Sequence, residues 1–174
     1  ADFQLFAAPQ QLKAAANQIL HSAIAIRKGE TVLLQVQANR LGNFTGEIKL
    51  AVEGLPDSLI LANTVIPAGQ NGTWVSVTAK VDAAAWVGAL KIVGTADVGG
   101  TPIARECRAG CVVWDTANQT TEPAVYRVAS QLRLSIVNEA QPGAVAPAQL
   151  DITTSRGGTV DIPLTLARQA GYAE

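Results

Sequence analysis

The chain has 174 residues, with 13 Lys+Arg against 14 Asp+Glu and a formal net charge of -1. That length allows about one to one-and-a-half ordinary domains, and the even charge balance excludes the electrostatic footprint of a nucleic-acid or anionic-membrane binder. Hydrophobic residues make up 48% and charged residues 16%, so a packed core is expected and wholesale disorder is not.

Phe3, Leu5 and Phe6 predict a short opening strand. Pro9 to His21 then reads as a short helix, with Leu12, Ala15 or Ala16, Ile19 and Leu20 at helical spacing and Pro9 in its first turn. Ala23 to Ile26 returns to extended structure. From residue 31 onward, period-two alternation dominates. Val32, Leu34, Val36 and Ala38 form one face against Leu33, Gln35, Gln37 and Asn39. Ile48, Leu50 and Val52 repeat the pattern, as do Val75, Val77, Ala79 and Val81, with Trp74 on the opposite face. Leu90, Ile92 and Ala96 make a fourth buried face.

Turn chemistry separates these runs at Leu41-Gly42-Asn43, Gly54-Leu55-Pro56-Asp57, Pro67-Ala68-Gly69, Asn71-Gly72 and Gly99-Gly100. Short punctuated strands without intervening helices predict an all-β, antiparallel sandwich or barrel. The polar segment Asp115 to Ala124 reads as a linker closing a first unit at Trp114. Beyond it, Tyr126 to Ile136 and Thr159 to Ala167 carry further strand patterns.

The chain also resembles itself. Lys28-Gly29 through Phe44 matches Arg156-Gly157 through Tyr172 at a constant spacing of 128 residues, pairing Thr31 with Thr159, Val32 with Val160, Leu34 with Ile162, Val36 with Leu164, Arg40 with Arg168 and Phe44 with Tyr172. Self-similarity at fixed spacing points to a tandem module. Residues 125–174 are accordingly expected to be the opening strands of a second, incomplete repeat. Their apolar face at Thr159, Val160, Ile162, Leu164 and Leu166 is expected to need covering, by downstream sequence or by a strand from a neighbouring subunit. Pro163 suits an edge position there.

The order Gly29, Arg40-Leu41-Gly42-Asn43-Phe44-Thr45-Gly46, Leu50-Ala51-Val52-Glu53-Gly54-Leu55-Pro56, Ile66-Pro67-Ala68-Gly69-Gln70 and Ile92-Val93-Gly94-Thr95-Ala96 resembles the immunoglobulin-like repeats of large exported bacterial proteins. These are of the planctomycete type found beside pre-peptidase C-terminal domains. The resemblance covers residues 27–115 and, as a partial copy, 130–174. It implies a seven-strand sandwich over residues 1–114, a secreted or cell-surface location, and no catalytic residues to carry over. A start at Ala1 in a chain without Met fits cleavage of a signal peptide, or excision from a longer protein.

Few residues invite chemistry. In an exported protein, Cys107 and Cys111 are read as a small-loop disulfide, with Gly110 allowing the strand to bulge between them; two free buried thiols are the alternative. Zinc would need two more ligands, and His21 is the only imidazole. No phosphate loop, nucleophile elbow or calcium loop is present, so no cofactor, metal or catalytic residue is assigned. Trp74 and Trp86 are candidate sugar platforms, although large aromatics in sandwiches are usually packing residues. Trp114 belongs to the same set. Asn43, Asn71 and Asn118 each open a glycosylation sequon. These features lead to a non-enzymatic extracellular structural or adhesive module whose partners are neighbouring domains or other subunits of an assembly. The alternative is a carbohydrate- or protein-binding accessory module of an exported hydrolase. No nucleic-acid or membrane-inserted partner is expected.

Overall fold

The computed structural model describes residues 1–9, 23–114, 125–148 and 151–170, with the side chains of 111–114 and 125–126 left aside. Every regular element among these residues is a strand. The expected helix over Pro9 to His21 falls outside the described residues except for Pro9. That residue ends β1 (Asp2–Pro9) opposite Leu34 and does not start a helix. The linker, 115–124, also lies outside them.

The strands form two layers joined by long, shared members. On one layer β1 pairs antiparallel with β3 (Thr31–Leu41), β3 with β7 (Gly72–Ala79), and β7 with β5 (Leu59–Ala62). On the other, β2 (Ala23–Lys28) lies beside β11 (Leu132–Ala140), β11 beside β8 (Trp86–Val98), and β8 beside β4 (Ile48–Glu53), whose far edge carries β6 (Val65–Ile66). The long strand β9 (Thr101–Trp114) runs from β8 across to β1 and β10 (Val125–Val128), so all eleven strands hydrogen-bond into one sheet.

Alternation was a reliable guide to the faces. Leu34, Val36 and Ala38 from β3 meet Val75, Val77 and Ala79 from β7 in the core, together with Ile48, Leu50, Leu90, Ile92 and Ala96. Val81 departs from its run: β7 ends at Ala79, where the Ala79 N–H donates to the Glu30 carbonyl, and Val81 is exposed in the following turn. Two further corrections concern partners. The sheet is mixed, because β1 runs parallel to β9 and β2 parallel to β11. Residue alternation sorts faces and carries no information on strand direction. The strand pairing also runs across the expected boundary after Trp114. β10 pairs with β9, and β11 sits between β2 and β8 with Leu132, Leu134 and Ile136 buried in the common core.

Residues 143–168 stand apart from that core. β12 (Gly143–Pro147) and β13 (Leu164–Arg168) form a separate two-stranded ladder. Val145, Ile162, Leu164 and Leu166 are exposed there. The Leu134 side chain is fully buried, so Leu134→Ala removes core volume and is expected to cost about 2–5 kcal/mol. Leu164→Ala on the exposed ladder is expected to stay within about 0.5 kcal/mol. Urea unfolding of the two variants checks this; equal effects would assign the ladder to the core.

Candidate functional site

The motif Arg40-Leu41-Gly42-Asn43-Phe44-Thr45-Gly46 has a structural task. Gly42 and Asn43 both adopt left-handed backbone, with φ of 58° and 61°, which reverses the chain after β3. The turn drives Phe44 into the core, stacked on Phe3 with ring centroids 5.6 Å apart. Arg40 then covers Phe44 at 5.2 Å and donates to the carbonyls of Gly46, Gln70 and Pro67 at 2.6, 2.9 and 3.1 Å. Three loop carbonyls are thereby satisfied by one planar cation. Gly46 has no room for a Cβ against the Phe44 ring. The motif therefore serves packing.

The arrangement best suited to a ligand lies on the outer face of the β7-β3-β1-β9 layer. Residues directly opposite in a ladder share a face, and the register sets Trp74 opposite Gln35, Gln37 opposite Phe6, Asn39 opposite Gln4, and Phe6 beside Arg108. Gln4, Gln37, Asn39, Arg108 and Val128 line an open groove of about 630 Å³, with Phe6 in its floor. The Phe6 ring occupies the space above Gly110, where any side chain would collide with it. Arg108 is exposed and takes part in none of the ion pairs among the described residues. Primary amides present both donors and acceptors, Arg108 adds a planar cation, and Trp74 adds a flat apolar ring that is 41% exposed. Such a face can bind polar, ring-shaped molecules, with hydrogen bonds along the groove and stacking on Trp74 elsewhere on the same face.

Trp74 thus stands where alternation placed it. Trp86 does not offer a platform: its ring folds over Gly88 on the same strand and packs against the core. The side chain of Trp114 lies outside the described residues. Asn43 and Asn71 are exposed, and the Asn71 carbonyl accepts from the Ala38 N–H at 2.9 Å. Asn118 and His21 lie outside the described residues. The groove itself escaped the sequence reading. Its signal was the amide run Gln35, Gln37, Asn39 on the wet face of β3, which alternation marks only as polar.

The expected disulfide requires correction. β9 continues unbroken through both cysteines, with Cys107 opposite Leu5 and Cys111 opposite Arg127. The register shifts between Val125 and Tyr126 and not at Gly110, leaving Val113 of β9 unmatched in the ladder. Four extended residues separate Cα atoms by roughly 13 Å, beyond the roughly 7 Å limit for a disulfide. Cys107 is a free thiol turned toward the core. Burial, reinforced by the neighbouring Glu106 carboxylate, pushes it up to about 12.

Two residues earlier on β9, Arg105 forms a bidentate pair with Asp2 at 2.7 and 3.1 Å. Hydrogen bonds from Arg105 and from the Phe3 N–H hold the Asp2 carboxyl below its usual range. That pair ties the start of β1 to β9 and is structural. Among the described residues, no three of His, Cys, Asp and Glu come together as metal ligands. No family model, curated protein or solved structure matches the chain.

Cys107 is expected to resist iodoacetamide at pH 8 in the native protein and to react fully in denaturant, as read by peptide mass spectrometry. A thiol raised from 9.0 to about 12 stays neutral in the fold after the unfolded chain has ionised. Its contribution to stability is therefore constant below pH 9 and is lost as pH rises from there toward 12. Cys107→Ala should abolish that alkaline loss in a pH series of unfolding midpoints.

Proposed function

We propose that the chain is an immunoglobulin-like structural or adhesive repeat module, working as a connector within a larger extracellular protein or assembly. The order of pairing supports the immunoglobulin-like reading. On this reading β1-β3-β7-β5 and β4-β8-β9 are the counterparts of the two sheets of that sandwich, with β2, β6, β10 and β11 as additions.

The observation that carries the repeat reading is that residues 142–169 redraw the opening of the first unit. The Glu30 N–H donates to the Arg27 carbonyl at 3.0 Å around Gly29, whose φ is 80°. The Gly158 N–H donates to the Ser155 carbonyl at 2.9 Å around Gly157, whose φ is 79°. Both are turns that require positive φ at the third residue. The ladder repeats as well. Phe3, Leu5 and Ala7 of β1 oppose Arg40, Ala38 and Val36, while Gly143, Val145 and Pro147 of β12 oppose Arg168, Leu166 and Leu164, the same β3 positions advanced by 128. A spacing of 128 after the turn and 140 before it leaves the second copy 12 residues shorter between its first two segments. A secreted or cell-surface location is what the resemblance implies.

The test is a completion chimera in which residues 1–170 are followed by residues 43–140. It is expected to fold as two units, with slow amide exchange at Ile162, Leu164 and Leu166. Appended strands that stay in fast exchange beside an intact first unit would overturn the repeat reading.

The groove favours a second reading, a carbohydrate-binding accessory module. On this reading a glycan array detects binding that Trp74→Ala and Gln37→Ala each weaken by about tenfold or more, with unfolding midpoints unchanged. An array without signal removes it.

A further inference from the structure

We infer that the free edge of β13 is a receptor for an incoming antiparallel strand of β7 character, that is, an extended segment with apolar residues at alternate positions like Val75, Val77 and Ala79. The inference rests on the repeat reading above, because the first unit is the template that shows which edge is open and what covers it.

In the first unit β3 has two neighbours, β1 on one side and β7 on the other. In the second copy β13 has the β1 counterpart, β12, and no other partner among the described residues. The apolar residues left without cover are those whose counterparts form the core. Leu34, Val36 and Ala38 are 0%, 0% and 6% exposed, whereas Ile162, Leu164 and Leu166 are 49%, 65% and 52% exposed. Exposure of a contiguous aliphatic row is costly in water and marks a surface built to be covered.

Backbone direction agrees. In an antiparallel ladder the N–H and C=O of one residue point at the same neighbour. The Ala38 N–H donates to the Asn71 carbonyl at 2.9 Å, on the β7 side, so even-numbered residues of β3 address β7. Their counterparts are Ile162, Leu164 and Leu166. Pro163 belongs to the other set: its carbonyl accepts from the Ala148 N–H at 2.9 Å, on the β12 side. The donor that proline lacks is therefore missing from the edge already paired, and the open edge keeps its full complement of donors and acceptors. A proline one residue earlier or later would have spoiled the receptor edge.

The register follows from the template. Leu34 opposes Val75, Val32 opposes Val77 and Val36 opposes Thr73, so an incoming β7-type strand places these partners opposite Ile162, Val160 and Leu164. Main-chain hydrogen bonds supply affinity, and the alternate aliphatic contacts supply register.

The experiment uses the full chain and a synthetic peptide of residues 72–79, with a scrambled peptide of the same composition as control. Hydrogen exchange at 162–168 is expected to slow by about tenfold or more with the peptide and to stay unchanged with the scramble. Leu164→Asp, on an exposed position that the first unit does not use, is expected to abolish the effect while leaving exchange in β3 unaltered. Unchanged exchange at millimolar peptide, equal protection by the scramble, or protection of 162–168 in the dilute chain alone would each overturn the proposal. A chimera that folds while the peptide does nothing would refute addition in trans and leave the repeat reading intact; failure of both would overturn both.

Discussion

The architecture depends on the burial of one strand. β3 is hydrogen-bonded on both edges, to β1 and β7, and directs Leu34, Val36 and Ala38 into the core. Its polar alternates lie on the opposite face, so the same strand supports both packing and the outer groove. The turn after β3 extends this arrangement. Gly42 and Asn43 allow the reversal, Phe44 enters the core on Phe3, and Arg40 closes the corner by satisfying carbonyls from two loops. A single backbone conformation at residues 42–43 thus aligns the core aromatic pair and the loop hydrogen bonds. Any residue with a bulky, branched side chain at either position would oppose that conformation.

The self-similar segment, residues 155–168, opens on a turn of the same geometry as residues 27–30, has a ladder to one neighbour and carries an apolar row at the corresponding positions, yet its row is exposed. Local structure therefore forms without the opposing layer. Turn geometry depends on residues three positions apart, and a two-strand ladder needs only its own backbone. Burial depends on the strands that supply the other side. The contrast between Val36 and Leu164 isolates that second requirement, since sequence position, turn and first neighbour are shared.

Much of this was legible in the chain. The faces of β3, β4, β7 and β8, the turns at Gly42-Asn43 and Gly99-Gly100, the outward position of Trp74 and the spacing of the repeat all follow from alternation and from glycine and asparagine at reversals. Other features were not legible, each for an identifiable reason. Leu132, Leu134 and Ile136 show the alternation of a strand, but alternation does not say which edge receives it, and the strand joins β2 and β8 of the first unit. Cys107 and Cys111 are four residues apart in either a loop or a strand. Only the continuity of β9, held by β1 and β10, separates them. The groove combines Gln4, Gln37, Asn39 and Arg108 from three strands far apart in the chain. No local pattern links them.

The sequence by itself determined the class of structure, the inward and outward sets of side chains, the reversals and the self-similarity of residues 28–44 and 156–172. These are properties of neighbouring residues, governed by φ preference and by a side-chain period of two. Tertiary structure alone decided that β1 and β2 run parallel to β9 and β11, that the strand after residue 130 joins β2 and β8 of the first unit, that the Cys107 thiol is half-buried against the core, and that Ile162, Leu164 and Leu166 are left uncovered. Those outcomes depend on which distant strands meet, and a strand's pattern of apolar and polar residues is the same whichever neighbour it finds.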